Sequence, residues 1–287
     1  LMLADVEFAK KFLYKGLAKS ALQGIRPTLA IEIDDIVNVK YPRPDEQGGG
    51  VYAAALLLDP SSPFFGAKGS KCVTAKDIAA EIWNNRQHYL SDLKSRGAAL
   101  WVYMTVRGDS AMRAMPDKYR PMIVSDGTSG IYALVKKLDP SQPFYGIGGK
   151  ELRDQKEIAA ELWAERRTYA QQLAMENHML WIYMRALGPN AKALAEKHQP
   201  AFKYGADEAD RNINRLYKLC LALDPSFPLY SAKGKALRTE NEIAAELLDS
   251  WISDSKSLSD ADHPLWSFLA AKGGKLAEIA RTYPGLL

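Results

Sequence analysis

Glycine-rich turns that carry lysines recur along the sequence, and they are the first candidates for chemistry. Two of them read Gly-Ala-Lys-Gly-Ser-Lys at 66–71 and Gly-Ile-Gly-Gly-Lys at 146–150. A phosphate-binding loop needs a strand before it, a Gly-Lys-Ser/Thr ending and a helix directly after it. None of the copies meets these conditions. The pattern therefore favours structural turns over a nucleotide site, and we expect no cofactor.

Basic side chains near these turns keep open a second kind of chemistry, the binding of an anion or a nucleic acid. The N-terminus of a helix attracts anions, and basic side chains placed just before it add to that attraction. However, acidic residues predicted in the first turn of the following helix already interact with that dipole. The candidate binding surface consists of the basic residues at the turns and two arginines on the helices: Lys71, Arg86, Lys150, Arg153, Arg166, Lys235 and Arg238.

Histidines and cysteines form no pattern typical of a metal centre or a nucleophilic site. No HExxH motif and no His/Asp/Cys cluster occurs in the chain. The two cysteines fall at different places in the repeat described below, which favours two free thiols in a reducing compartment. The residues concerned are His88, His178, His198, His263, Cys72 and Cys220.

Carboxylates recur at fixed positions, and their recurrence argues against catalysis. An active site is needed once, whereas a packing contact is needed in every repeat. Three glutamates share one helical position, and three aspartates precede prolines, where they are expected to bind the backbone N–H groups of the next turn. These residues are Glu81, Glu161, Glu246, Asp59, Asp139 and Asp224. An enzyme remains an alternative, with a site where two repeats meet or in segment 28–50, which contains the acidic stretch 31–35.

The chain itself is built from repeats, which should be sought before any other pattern. Leu-Asp-Pro-Ser begins at 58, 138 and 223, at spacings of 80 and then 85 residues. Blocks related to Ile-Ala-Ala-Glu and Leu-Trp follow each copy in the same order. The third copy departs from the pattern, because Trp251 and Asp254 replace the arginine and the tyrosine of the first two copies.

Each repeat predicts a helix that ends at Asp-Pro, a turn between two short extended arms, a long helix, a Leu-Trp helix and a short closing helix. Proline ends the first helix because it lacks an N–H group and pushes the preceding residue out of the α region. The closing helices are expected to stop before Pro121, Pro200 and Pro284, and segments 121–130 and 201–210 are predicted linkers. The markers of the repeat are the three aspartates above, the helix N-caps Thr74, Asp154 and Thr239, and the tryptophans Trp101, Trp181 and Trp266, interpreted as core.

The N-terminal segment resembles the end of an earlier repeat, with residues 4–27 as its last helices and 42–50 as a mobile loop. The predicted organisation is a partial repeat and loop at 1–50, then repeats at 51–121, 122–200 and 201–287. The chain is therefore expected to be a piece of a longer protein.

The fold class predicted is all-α, with three tandem helical repeats in a solenoid-like array and short β-ribbon turns. Three semi-independent helical units on linkers are the alternative. A net charge of +4 does not demand a nucleic-acid partner, and no apolar run is long enough to span a membrane. The sequence predicts a non-enzymatic protein-interaction module with a protein partner, in a multidomain or effector-like protein of the cytoplasm or a host cytosol. Anion or nucleic-acid binding at the turns is the alternative function.

Overall fold

The structure, a computed structural model, describes residues 47–284 and is mostly α-helical. The described residues fall into two compact bodies, divided between Gln142 and Pro143. This division lies inside the second sequence repeat. The first helix of that repeat therefore belongs to the first body, and the rest of the repeat belongs to the second.

The first body contains one two-stranded ribbon among its helices. Its elements are α1 (Gln47–Leu58), β1 (Phe64–Phe65), β2 (Lys71–Cys72), α2 (Ala75–Asn84), α3 (Arg86–Asp92), α4 (Ala99–Arg107), α5 (Ser110–Arg113), α6 (Met115–Asp126) and α7 (Thr128–Leu138).

The second body contains two such ribbons. Its elements are β3 (Phe144–Tyr145), β4 (Glu151–Leu152), α8 (Gln155–Ala164), α9 (Arg166–Gln172), α10 (Met179–Leu187), α11 (Pro189–His198), α12 (Ala209–Leu223), β5 (Leu229–Tyr230), β6 (Ala236–Leu237), α13 (Glu240–Asp249), α14 (Trp251–Leu258), α15 (Pro264–Lys272) and α16 (Gly274–Thr282), with 3₁₀ turns at Ile147–Gly149, Gln199–Ala201 and Ala206–Glu208.

The ribbons are antiparallel pairs of two residues each, with Phe64 opposite Cys72 in the first. A ribbon this short is marginal by itself, so it depends on the helices beneath it. In the first two copies the first strand carries a buried phenylalanine that packs on the Leu-Trp helix. The ring centroids of Phe64 and Tyr103 are 5.9 Å apart, and those of Phe144 and Tyr183 are 6.0 Å apart.

The predicted N-caps hold the helix that follows each ribbon. Thr74 and Thr239 form reciprocal capping boxes, in which each threonine Oγ1 accepts the backbone N–H three residues later. The acidic side chain at that third position accepts the threonine N–H in return. Asp154 instead accepts the N–H of Lys156, and the carboxylate of Glu157 accepts the N–H of Arg153. The second copy is therefore capped by a related but different arrangement.

The prediction of one long helix after each cap is wrong, because each is two helices joined at a non-helical residue. The joining residues are Asn85, Glu165 and Ser250, with φ between −114° and −102°. Their backbone N–H groups still donate to the carbonyl four residues earlier. In the first two copies the second segment carries a buried tyrosine, Tyr89 or Tyr169, whose packing in the core is a tertiary effect.

The predicted stop at Pro121 and the linker at 121–130 are also wrong. Pro121 lies inside α6, which runs on to Asp126, and only Gly127 separates α6 from α7. An internal proline costs about 3 kcal/mol. Here the residue four positions earlier, Asp117, is exposed, and the buried Tyr119 and Ile123 anchor α6 on the core. Packing therefore outweighs the local signal.

Other boundary predictions have mixed outcomes. The stop at Pro200 is confirmed, since α11 ends at His198 and a 3₁₀ turn follows. Part of the predicted mobile loop is helical, because α1 begins at Gln47. Tyr52 and Leu56, later in α1, are buried, and this packing outweighs the low helix propensity of the glycines at its start. The partial repeat at 4–27, the acidic stretch 31–35 and the loop at 42–46 lie outside the described residues. Within residues 47–284, no helix combines the length and apolarity needed to cross a membrane.

The tryptophan of each Leu-Trp helix is buried and makes the same hydrogen bond in all three copies. The indole Nε1–H groups donate to the carbonyl oxygens of Leu93, Leu173 and Leu258 at 2.9–3.0 Å. A buried carbonyl needs such a partner, since leaving it unpaired costs about 1–3 kcal/mol. The residues Trp101, Trp181 and Trp266 therefore tie each Leu-Trp helix to the end of the helix before it.

Candidate functional site

The helix that follows the cap in the first repeat, α2, has one face covered by the first helix of the next repeat, α7. Ala79 is fully buried there and Trp83 is 6% exposed. The Trp83 ring meets the ring of Tyr132 on α7 edge-on, with centroids 5.4 Å apart. A small residue that permits close approach and a large ring one turn later thus form a helix-docking face.

The second body repeats this arrangement, with α12 covering α8 and α9. The Sγ atom of Cys220 lies 3.4 Å from the carbonyl oxygen of Ala159, and the rings of Trp163 and Tyr217 are 5.4 Å apart. The buried Asn212 donates to the carbonyl oxygen of Ala170 at 2.9 Å. The contact therefore joins apolar packing to hydrogen bonds with buried backbone groups.

The corresponding face of the third repeat is bare. Ala244 stands where the first two copies have Ala79 and Ala159, and it is exposed. Leu248, Trp251 and Ile252 are 74%, 66% and 76% exposed. These four residues of α13 and α14 are called the bare face. In the part of the chain that the structure describes, no other stretch places three large exposed apolar side chains within five positions.

The bare face lies in a strongly acidic segment. Residues 240–262 contain seven acidic residues and one basic residue, Lys256. The matching segments hold three acidic and four basic residues at 75–97, and four acidic and three basic at 155–177. Glu240, which is exposed, lies one helical turn before Ala244, and the exposed Asp249 directly follows Leu248 in the sequence. A ligand of this surface should therefore combine apolar area with positive charge.

The basic residues proposed from sequence lie on two kinds of element. Lys71, Lys150 and Lys235 are exposed on the ribbons, but they are not equivalent, since Lys71 is on the second strand and the other two precede it. Arg153 pairs with Glu151 at 3.2 Å, and Arg238 donates to the carbonyl oxygen of Ser226. The guanidinium groups of Arg86 and Arg166 lie over the rings of Trp83 and Trp163, at 4.9 and 5.2 Å from the ring centroids.

The recurrent aspartates hold the turn after the first helix of each repeat. Asp59, Asp139 and Asp224 each accept the backbone N–H and the hydroxyl of the serine two residues later. These hydrogen bonds, led by that from the Ser61 hydroxyl, lower the pKa of Asp59. Stabilising the turn is a sufficient role for these three residues.

The cysteines are buried free thiols, and burial raises the pKa of both Cys72 and Cys220. Raised pKa values disfavour the reactive thiolate. Among residues 47–284, no group of three or more His, Cys, Asp or Glu side chains is arranged to hold a metal ion.

Comparison with known proteins adds no family to this description. No protein-family model, curated protein or solved structure matches the chain. The sequence signal for the bare face was Trp251, which replaces the arginine of the first two copies. The hydrophobic periodicity of the sequence does not show that this face is exposed.

Proposed function

We propose that this chain is a non-enzymatic, helical-repeat protein-interaction module, and that its bare face binds an amphipathic α-helix that carries basic residues. The repeats would form a solenoid-like array within a larger multidomain or effector-like protein. The observation that carries the proposal is the exposure of Leu248, Trp251 and Ile252, where the first two repeats are covered by a helix.

The occupant is argued from the two covered faces and from charge. In both bodies the element that covers this face is a single helix, α7 or α12. Ala244 preserves the small residue against which Cys220 packs in the second repeat. The acidic surroundings of the bare face favour a helix with lysines or arginines beside its apolar stripe, since opposite charges steer and orient association. Recognition would follow the helix-in-groove mode.

The chain itself supplies a probe of this chemistry. A labelled peptide with the sequence of Ala209–Leu223 is amphipathic and carries three basic residues and one acidic residue. Fluorescence anisotropy should show saturable binding of this peptide to the intact chain. A peptide with Arg211→Glu, Arg215→Glu and Lys218→Glu should bind more weakly, and the difference should shrink as salt is added.

Matched variants locate the binding. Leu248→Asp should weaken binding roughly tenfold or more, because a buried leucine contributes about 1.5–3 kcal/mol. Val73→Asp changes another exposed apolar residue, 64% exposed, and should leave binding unchanged. Equal binding to both variants, or none to the unaltered chain, would refute the proposal. Self-association that Leu248→Asp abolishes, measured by light scattering, would assign the face to a second copy and would also refute it.

A further inference from the structure

The recurrent glutamate of α2 and α8 anchors the ribbon turn in the first two repeats. The carboxylate of Glu81 accepts the backbone N–H of Ala67 at 2.9 Å and the hydroxyl of Tyr89 at 3.3 Å. In the second repeat Glu161 accepts the backbone N–H of Ile147 at 3.0 Å. The buried tyrosine at the position of Tyr89 thus fills the space beside this carboxylate.

A glycine makes this anchoring possible. A Cβ atom added at Gly66 would lie 2.3 Å from Cδ of Glu81, and one added at Gly146 would lie 2.5 Å from Oε1 of Glu161. Both separations are far below contact distance. A residue with a side chain at this position therefore cannot coexist with the glutamate where the first two repeats hold it.

The third repeat changes both of these positions. Ser231 replaces the glycine, and its own Oγ accepts the backbone N–H of Lys235 at 3.0 Å. Asp254 replaces the tyrosine. Among residues 47–284, no hydrogen bond or ion pair is made by the side chain of Glu246, whereas the side chains of Glu81 and Glu161 bind the ribbon turn.

These two changes leave a cavity of about 240 Å³ within the second body. Glu246 and Asp254 line it together with aliphatic side chains such as Leu237 and Ile243. The rings of Trp163 and Tyr230 form part of the wall, stacked with centroids 5.4 Å apart. By helical spacing, Ile243 and Glu246 lie on the side of α13 away from Leu248, and none of the four residues of the bare face lines the cavity.

The chemistry of the lining selects a small organic cation. Carboxylates attract a cation, and apolar walls bury an alkyl chain. A cavity below the 300–1,000 Å³ typical of drug-sized ligands suits a short chain. His263 also lines the cavity, and burial lowers its pKa against the smaller, opposite effect of the nearby carboxylates Asp254 and Asp260. Arg166 and Arg238 are the nearby cations, and neither pairs with Glu246 or Asp254 among the described residues.

We propose that this cavity binds a primary alkylammonium group, whose charge is neutralised by Glu246 and Asp254 and whose carbon chain packs against Trp163. The group would come from a free alkylamine or from a lysine side chain. This site does not depend on the bare face, and either proposal can fail without the other.

The test is a titration of the intact chain with n-butylammonium, followed through the indole N–H resonance of Trp163 and assigned with a Trp163→Phe variant. We expect n-butylammonium to shift this resonance in a saturable way. Neutral n-butanol should bind at least about tenfold more weakly. Nα-acetyl-lysine methylamide, titrated in parallel, tells whether a lysine side chain also enters. Absence of a saturable shift with both amines, or equal binding of n-butanol, would overturn the proposal.

Four variants test the cause. Ser231→Gly should weaken amine binding although it removes no charge, because it lets Glu246 return to the turn. Asp254→Tyr should refill the cavity and abolish binding, and Glu246→Gln should weaken it. Asp249→Asn removes a carboxylate of the same helix outside the cavity and should leave binding unchanged. Thermal melting verifies that each variant is folded. Unchanged binding in folded Ser231→Gly and Glu246→Gln would refute the site.

Discussion

Acidification should destabilise the second body through one buried histidine, His178. Its Nδ1 accepts the backbone N–H of Leu180 at 3.2 Å, which caps α10, and its Nε2 lies 3.2 Å from Oε1 of Gln172. The capping nitrogen must be unprotonated. Burial lowers the pKa of His178 from 6.5 to about 4. The ring is therefore neutral in the folded protein under ordinary conditions.

The sign and size follow from proton linkage. Between pH 6.5 and 4 the unfolded chain binds more protons at His178 than the folded chain does. The contribution of His178 to the free energy of unfolding is therefore complete above pH 6.5 and is lost as the pH falls. Each pKa unit corresponds to 1.36 kcal/mol, which gives a loss of about 2 kcal/mol between pH 6.5 and 5.

Urea unfolding of the chain and of a His178→Asn variant, at a series of pH values, measures this effect. Asparagine keeps a capping acceptor but does not titrate. The variant should match the unaltered protein within about 1 kcal/mol at pH 7 and exceed its stability by about 2 kcal/mol at pH 5. His198 and His263, whose pKa values burial also lowers, titrate in both proteins and cancel in the difference. Equal pH dependence of the two proteins between 6.5 and 5 would refute the argument.

Two further substitutions test the ribbon and the caps. Gly146→Ala should displace Glu161 from the turn. The expected loss of stability is about 1 kcal/mol, the net value of one hydrogen bond, and urea unfolding measures it. An unchanged unfolding midpoint would contradict the steric argument. Thr239→Val should remove the cap of α13 and also cost about 1 kcal/mol of stability. Thr239→Asp keeps a capping oxygen and should retain most of the stability. Equal loss in both variants would show that the capping hydrogen bond is not the cause.

Local features of the structure could be predicted from the sequence. The capping residues Thr74 and Thr239 act within one helical turn, so the local pattern contains all that is needed to recognise them. The aspartate turns are local in the same sense, because Asp59 binds groups only two or three residues away. Each of these predictions depends on short-range hydrogen bonds between neighbours in sequence.

Features that depend on tertiary packing could not be predicted. The helix breaks fall on residues as different as Asn85, Glu165 and Ser250, which share no breaking signal. Pro121 carries a strong breaking signal, yet the helix continues because the buried Tyr119 and Ile123 hold it on the core. For Pro121 the outcome depends on how Tyr119 and Ile123 pack in the core, which the local sequence does not show.

Only part of each candidate site could be predicted from the sequence. The sequence shows that Trp251 and Asp254 depart from the repeat, but it does not show whether a helix covers that surface. Likewise, the replacement of glycine by Ser231 acquires meaning only from how closely a Cβ atom at the equivalent glycines would approach the glutamate. Both consequences are steric, and steric consequences depend on the three-dimensional arrangement of the chain.

The third repeat has diverged on two sides of one helix, and neither change benefits the isolated fold. Exposing Leu248, Trp251 and Ile252 leaves a contiguous apolar patch of the kind that marks interaction sites. Releasing Glu246 removes the hydrogen bonds that its counterparts make and places a second carboxylate, Asp254, beside it in a cavity. A repeat selected only for stability would keep the glycine and the tyrosine, as the first two repeats do. The proposed amine site therefore depends on these two substitutions, Ser231 and Asp254.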